Sequence, residues 1–373
     1  MHGSRPWGYA GAVALLVAAC GGGKNNTTGV GGAGTGAHAA SAGSTGSAGS
    51  TGSGGGSSGS TTASAGSGTG SGTSSSTGTS SSAGTSSSSG GTTCAVFLPD
   101  SPWNTDISDT TKYPNDPLSD TYVQSIGANT GLHPDFGSDP AGGIPYQYVT
   151  NAVTKSPVTF DPQAAGESDP GPYPIPVKPL IRGGSDAHIL MVQTDECVLY
   201  ELDAASLSGI TWSAYSGAIW DLKINATRPQ CWTSADAAGL PIFPGLARYE
   251  EVAKGAINHA LRFTVATTQK AFVAPATHYA SSDTSASLPP MGLRVRLKNS
   301  FDISGAPAQS KIILTALKKY GMFLADNGGD WFISGAPNPA WIDDPDLNYM
   351  KTVPGSAFEA LKTGPLTTPA MCP

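Results

Sequence analysis

The chain has 373 residues, and its 27 acidic and 20 basic side chains give a formal net charge of −7 at pH 7. This acidic balance argues against nucleic acid as a partner, because binding to a phosphate backbone requires basic patches. Composition changes abruptly along the sequence and divides it into residues 1–19, 20–93 and 94–373.

The first part has the layout of a secretory signal peptide. Arg5 precedes an apolar stretch over residues 7–19, and small residues lead into Cys20. The stretch is shorter than the about 20 apolar residues that a membrane-spanning helix needs. The run from Val17 to Cys20 resembles the lipobox of bacterial lipoproteins, which implies cleavage after residue 19 and lipidation of Cys20.

The lipobox resemblance also implies a location. An acylated Cys20 would anchor the chain in a lipid bilayer, since each buried methylene contributes about 0.8 kcal/mol. Gly21 rather than Asp follows the cysteine, which resembles the pattern for sorting to the outer membrane. We therefore expect a lipid-anchored protein of the cell envelope, with its domain outside the bilayer.

Residues 20–93 predict a linker. Nearly every residue after Cys20 in this part is Gly, Ser, Thr or Ala, and Lys24 is the only charged one. Such a composition cannot bury enough apolar surface to offset the entropy lost on ordering. We expect a disordered tether with a root-mean-square span of roughly 45–50 Å.

Residues 94–373 predict a single β-rich extracellular domain. Two β-rich runs, 188–192 and 197–202, flank a short polar turn and predict a hairpin. Further strands are predicted at 144–149, 158–160, 218–222, 259–265, 271–273, 293–297 and 331–333, and helices at 119–126, 246–254, 310–320 and 345–351. The fold class is mainly β: one large sandwich- or barrel-like domain with a few peripheral helices.

The cysteines of the domain predict two disulfides. Cys94, Cys197, Cys231 and Cys372 remain once Cys20 is lipidated, and an even number in an oxidising compartment favours pairing. Three pairings are possible. Because domain termini often lie close together, we favour Cys94–Cys372 and Cys197–Cys231.

Three histidines are candidates for catalysis. His188 and His259 each alternate with apolar residues near a strand start, so both should point toward the core side, and His278 could join them. Imidazole titrates near neutral pH, which suits acid–base chemistry. The alternative is a structural histidine held by a carbonyl or a carboxylate.

Carboxylates supply the second class of candidates, because glycoside hydrolysis normally uses two of them. Glu201 lies on the second strand of the hairpin, and Asp221 ends a predicted strand. Buried structural roles are the alternative for both. Asp326 is a further possible oxygen ligand, although no calcium loop of recognisable spacing is present, and we expect no metal and no cofactor.

Cationic and aromatic residues could bind a glycan. Arg294 alternates with apolar residues in a strand whose cationic face could contact an anionic polymer, and Arg262 lies on the His259 strand. Trp232 and Trp331 could stack on sugar rings. A solvated sheet edge and core tryptophans are the alternatives.

Signatures of several enzyme classes are missing from the sequence: GxSxG, HExxH, the Walker A loop and a GxGxxG that precedes a helix. Three stretches instead resemble a family of uncharacterised secreted proteins from soil bacteria, and the resemblance covers most of the domain. It implies one integral domain and carries no catalytic residues over. The stretches are residues 232–241 followed by 259–263, residues 289–294 and residues 325–332.

These observations lead to three hypotheses for function. The first is an enzyme at the cell surface that acts on a polysaccharide as a hydrolase or a lyase. The second is a glycan-binding or adhesion lipoprotein without chemistry, and the third is a structural envelope protein. Convergence of the candidate histidines and a carboxylate on one cleft would favour the enzyme.

Overall fold

A computed structural model describes residues 94–372. The predicted signal peptide, the predicted lipidation site Cys20 and the predicted linker lie outside the described residues. Within the described part, no helix has both the length and the apolar character needed to cross a bilayer.

Strands dominate the described part of the chain, and helices are few, as the sequence predicts. The helices are α1 (Ser119–Ile126), α2 (Tyr249–Val252) and α3 (Ala308–Lys319). The strands are β1 (His133–Asp135), β2 (Tyr146–Val149), β3 (Val158–Phe160), β4 (Ile189–Gln193), β5 (Val198–Asp203), β6 (Ser206–Ser208), β7 (Thr211–Ala214), β8 (Ser216–Asp221), β9 (Leu261–Val265), β10 (Arg294–Leu297), β11 (Met322–Asn327), β12 (Phe332–Ser334) and β13 (Phe358–Ala360).

The strands form three open sheets, and none of those in residues 94–372 closes into a barrel. The largest has the order β1-β12-β9-β11-β10-β13 and mixes parallel with antiparallel pairs. A four-stranded sheet has the order β2-β4-β5-β8, and a three-stranded sheet has the order β3-β7-β6.

The four-stranded sheet lies between two hydrophobic clusters. Leu190 and Val192 of β4 pack in the larger cluster with Phe263 of β9, whereas Ile189 packs in the smaller cluster with Trp212 of β7. Successive side chains of a strand point to opposite faces, so the first four residues of β4 are all apolar because both faces of the strand are covered. The arrangement is sandwich-like, with the four-stranded sheet as its middle layer.

The predicted hairpin is confirmed: β4 pairs antiparallel with β5, with Ile189 opposite Leu202. The predicted helices at 119–126 and 310–320 correspond to α1 and α3. Strand β11 escaped prediction, because a run of apolar residues that directly follows a helix does not reveal its own period.

The predicted disulfide pairing is wrong. Cys94 bonds to Cys197, and Cys231 bonds to Cys372, with Cα–Cα distances of 5.4 and 5.7 Å. The two ends of the domain are held by different neighbours. The N-terminal segment runs beside the end of β8, where the Phe97 amide donates to the Leu222 carbonyl, while the C-terminal segment pairs with the chain around Phe272 through Thr367.

Candidate functional site

A cleft of about 280 Å³ opens at one end of the four-stranded sheet. Three of its polar side chains come from separate elements: His188 just before β4, Asp203 at the end of β5, and Asp326 on β11. Because β4 and β5 are antiparallel, the start of β4 and the end of β5 lie side by side at the same end of the sheet. The six-stranded sheet supplies Asp326 from the opposite side.

Asp326 reaches the cleft through an irregularity in β11. Leu324 is opposite Phe263 of β9 and Asp326 is opposite Thr264, so Ala325 is an extra residue in the ladder. Regular alternation would put Leu324 and Asp326 on one face, and Leu324 lies in the core. A bulge redirects the side chains that follow it, and here it turns a carboxyl group toward the cleft.

A buried ion pair forms the floor of the site. The Arg262 guanidinium contacts both oxygens of Asp236, at 3.2 Å from Nε to Oδ2 and 2.7 Å from Nη2 to Oδ1. Burial alone would lower the pKa of Arg262, but Asp236 and Asp326 together raise it. Arg262 Nη2 is also 4.0 Å from Oδ2 of Asp326, so both carboxyl groups surround one guanidinium.

Asp203 and Asp326 both face the cleft without a direct hydrogen-bonded cation. Their side chains are 25% and 36% exposed, against 1% for Asp236. Burial, together with the charge of Asp186, raises the pKa of Asp203 to about 7. Burial and the charge of Asp236 raise the pKa of Asp326 to about 7, although Arg262 opposes the rise.

His188 lines the same cleft beside Asp203. Its Nδ1 atom is buried and has no hydrogen-bond partner, and Oδ1 of Asp203 is 3.6 Å away. Burial, together with the charges of Arg182 and Arg262, lowers the pKa of His188 to about 3. The imidazole is therefore neutral at pH 7, and one of its nitrogens is unsatisfied.

The rim of the cleft adds a second histidine and an aromatic ring. His278 Nδ1 donates to the Ala237 carbonyl at 2.9 Å, which holds the ring in place. Tyr215 also lines the cleft and is 42% exposed. An exposed aromatic ring beside hydrogen-bonding groups is a surface on which a sugar ring can stack.

No family model matches the chain, and no curated protein or solved structure is significantly similar to it. The arrangement of its own residues is therefore the basis for assigning chemistry to the cleft. In residues 94–372, no three His, Cys, Asp or Glu side chains are grouped as metal ligands.

His259 does not join the other candidate histidines. Its Nδ1 donates to the Ala260 carbonyl at 2.8 Å, and its Nε2 lies 3.0 Å from Nη2 of Arg248 and 3.1 Å from Oε2 of Glu251. We refer to Arg248, Glu251 and His259 as the Arg248 cluster. It is a closed network, which is the structural alternative considered for His259.

The two carboxylates favoured from the sequence also lie elsewhere. Glu201 is fully buried and accepts hydrogen bonds from the amides of Ile242 and Phe243 and from Nε1 of Trp220. It ties the turn at Ile242 and Phe243 to β5. Asp221 is at the other end of β8 from the cleft, about 17 Å along the strand, and pairs with Lys223 at the surface.

Of the predicted glycan-binding residues, Arg262 and Asp326 lie at the cleft, whereas the other three do not line it. Arg294 is on an inner strand and donates to the carbonyls of Thr105 and Tyr320, so it does not form a cationic edge. Trp331 is fully buried, is stacked against Phe263 and donates from Nε1 to a backbone carbonyl. Trp232 precedes the cleft-lining residues and stacks on the Arg228 guanidinium instead.

Asp186, Asp203 and Asp236 line the cleft but escaped selection as catalytic candidates. The predicted hairpin contained a usable signal for two of them. Residues just before its first strand and at the end of its second must be neighbours, and these residues include Asp186, His188 and Asp203. Asp236 gave no comparable signal, because it lies in a loop whose path depends on Arg262.

Proposed function

We propose that the domain hydrolyses glycosidic bonds in a polysaccharide. The observation that carries this proposal is the pair Asp203 and Asp326, which face one cleft and whose pKa values are both raised to about 7. A glycosidase needs one carboxyl group that is protonated and one that is ionised at the working pH. Two carboxyl groups that titrate near neutrality can divide these states between them.

The surroundings assign the two roles. The Asp186 carboxylate lies near Asp203 and favours its protonated form, so Asp203 is the general acid that protonates the leaving oxygen. The Arg262 guanidinium lies 4.0 Å from Asp326 and favours its ionised form. Asp326 is thus the carboxylate that attacks the anomeric carbon or activates a water molecule. His188 is a positioning residue beside the acid.

Release of reducing ends from a glycan panel by the full chain tests the proposal. We expect product from at least one glycan, and a loss of about 10²–10⁴-fold in kcat in both Asp203→Asn and Asp326→Asn. Asp221→Asn is the matched control, because it changes an aspartate at the far end of β8 and should keep full activity.

The alternative of a non-catalytic glycan-binding protein predicts a different pattern. A glycan would then be retained without any product, and Asp203→Asn would change retention only. Retention without product on every glycan of the panel would contradict the hydrolase and favour the binding module.

We further propose that the chain is tethered to the cell envelope through a lipidated Cys20, upstream of a domain whose first described residue lies at the other end of β5 from the cleft. The domain begins at Cys94, which is bonded to Cys197 next to the start of β5, while Asp203 is at its end, about 20 Å away along the strand. Mass spectrometry of the mature N-terminal peptide tests the tether: an acylated Cys20 is expected, and an unmodified N-terminus would contradict it.

A further inference from the structure

Apart from two histidines and Tyr215, the titratable residues that line the cleft are all acidic. They include the acidic residues Glu167, Asp186, Asp203, Asp236 and Asp326, and no lysine or arginine is among them. A small space with low-dielectric walls concentrates such a field and repels ligands of the same charge. The charge of the cleft therefore bears on which glycan can enter it, an inference that rests on the proposed function.

The arginines nearest the cleft are already engaged. Arg262 is paired with Asp236 in the floor, and Arg182 contacts both Asp186 and Asp135. Arg228 bonds to Asp169 and to a backbone carbonyl. A sugar carboxylate in the cleft would therefore have to displace an existing partner in order to find a cation.

A second and independent feature points to a ligand that can form hydrogen bonds. His188 is 95% buried and lines the cleft, and its Nδ1 has no hydrogen-bond partner. An unpaired buried polar atom is costly, and it is relieved by a ligand that can hydrogen-bond to it. A sugar hydroxyl both donates and accepts, so it can satisfy the ring nitrogen and a carboxyl oxygen together.

We infer that the cleft selects a neutral, hydroxyl-bearing glycan as its substrate, repels uronic-acid polymers, and binds polymers with free amino groups without cleaving them efficiently. Carboxylated sugars are repelled by the lining carboxyl groups. An ammonium group would be attracted, but it would hold Asp203 and Asp326 ionised and so remove the proton that the leaving group needs. Neutral sugars alone leave the acid and its partner in their working states.

The volume of the cleft agrees with a short stretch of such a polymer. At about 280 Å³ it is close to the lower end of the roughly 300–1,000 Å³ typical of ligand pockets. The exposed ring of Tyr215 at the rim is placed to stack on a sugar face. We expect contact with a chain end or with a few sugar units.

Affinity electrophoresis and product release with three forms of one polymer test the inference. The polymer is the neutral glucan, mannan or xylan that retains the full chain most strongly, and the other two forms carry carboxylates or free amines on the same backbone. We expect product from the neutral form and at least tenfold weaker retention on the carboxylated form. The aminated form should bind but yield at least tenfold less product.

Asp186→Asn sharpens the test, because it removes an exposed charge from the rim and leaves the proposed acid in place. It should weaken discrimination against the carboxylated form by about threefold or more, while Asp221→Asn leaves discrimination unchanged. Equal retention on the neutral and carboxylated forms, undiminished product from the aminated form, or retention on no polymer would overturn the inference. Selective retention of the neutral form without product would overturn only the proposed hydrolysis.

Discussion

Two groups of buried ionisable side chains in this domain look alike in composition and differ in how they are paired. The Arg248 cluster and the cleft each combine a histidine with acidic groups near an arginine, and their histidines are 6% and 5% exposed. Every polar atom of His259 has a partner, whereas Nδ1 of His188 has none. The two regions do not differ in how deeply their histidines are buried. They differ in whether every polar atom of the histidine has a hydrogen-bond partner.

This contrast separates polar groups that stabilise the fold from polar groups that are available to bind a ligand. A closed network contributes to folding because removing one member leaves the others unpaired. An open network, in which a polar atom has no partner, contributes less to folding and can bind a ligand. The two regions should therefore respond in opposite ways to mutation and to pH.

The largest expected effect is on the stability of the Arg248 cluster. Arg248 is buried and donates to the Phe243 carbonyl and to Glu251. Arg248→Met should lower the free energy of unfolding by about 3 kcal/mol or more, because it leaves a largely buried carboxylate without its cation. Urea denaturation measures the change. A loss below about 1 kcal/mol would show that the cluster is not a stabilising network.

The second effect is that the contributions of Glu251 and Asp203 to stability should depend on pH in opposite directions. Burial would raise the pKa of Glu251, but His259 and Arg248 lower it to about 2. Its stabilising contribution is present above the ordinary glutamate pKa and is lost as pH falls from about 4.5 to 2. Glu251→Gln should cost about 2 kcal/mol at pH 7, after allowance for partial exposure, and much less at pH 2.

Asp203 should behave in the reverse manner. Its pKa is raised to about 7 by burial, Asp186 and Asp236 against the Ala204 amide and the charge of Arg182, and Nδ1 of His188 is 3.6 Å from its Oδ1. The folded protein then binds the extra proton, so stability is greatest below pH 4 and falls as pH rises to about 7. Asp203→Asn should raise stability at pH 8 by about 1–2 kcal/mol. A destabilised Asp203→Asn at pH 8 would remove the contrast with Glu251.

A smaller effect separates the two histidines. His259→Gln should lower the free energy of unfolding by about 1–2 kcal/mol, because it breaks a satisfied network. His188→Gln should cost less than half as much, yet weaken glycan retention. Thermal unfolding and affinity electrophoresis measure the two quantities on the same samples. Equal stability losses with unchanged retention would place His188 in the same structural class as His259.

The smallest effect is expected at Asp221. It is a half-exposed carboxylate with a surface lysine partner, and such pairs contribute little. Asp221→Asn should change stability by less than about 0.5 kcal/mol and leave glycan hydrolysis unchanged. A loss of activity in this variant would mean that the site extends to the far end of β8.

The sequence predicted the hairpin, two helices and the β-rich class, because these follow from local periodicity and turn residues. It predicted His188, His278 and Asp326 as site residues but could not exclude His259, since whether a buried histidine is satisfied depends on residues distant in the chain. The predicted disulfide pairing was wrong because it, too, depends on which distant parts of the chain lie next to each other. The bulge at Ala325 that redirects Asp326 has no local signature in the sequence.

The proposed hydrolysis requires that the carboxyl groups of Asp203 and Asp326 both take up and release a proton near neutral pH. Carbon-13 NMR titration of the aspartate carboxyl groups in the full chain measures this directly, with Asp203→Asn and Asp326→Asn to assign the signals. We predict two carboxyl resonances with midpoints near pH 7, one of which disappears in each variant. Titration of every aspartate below about pH 5, within the range usual for the residue, would contradict the claim.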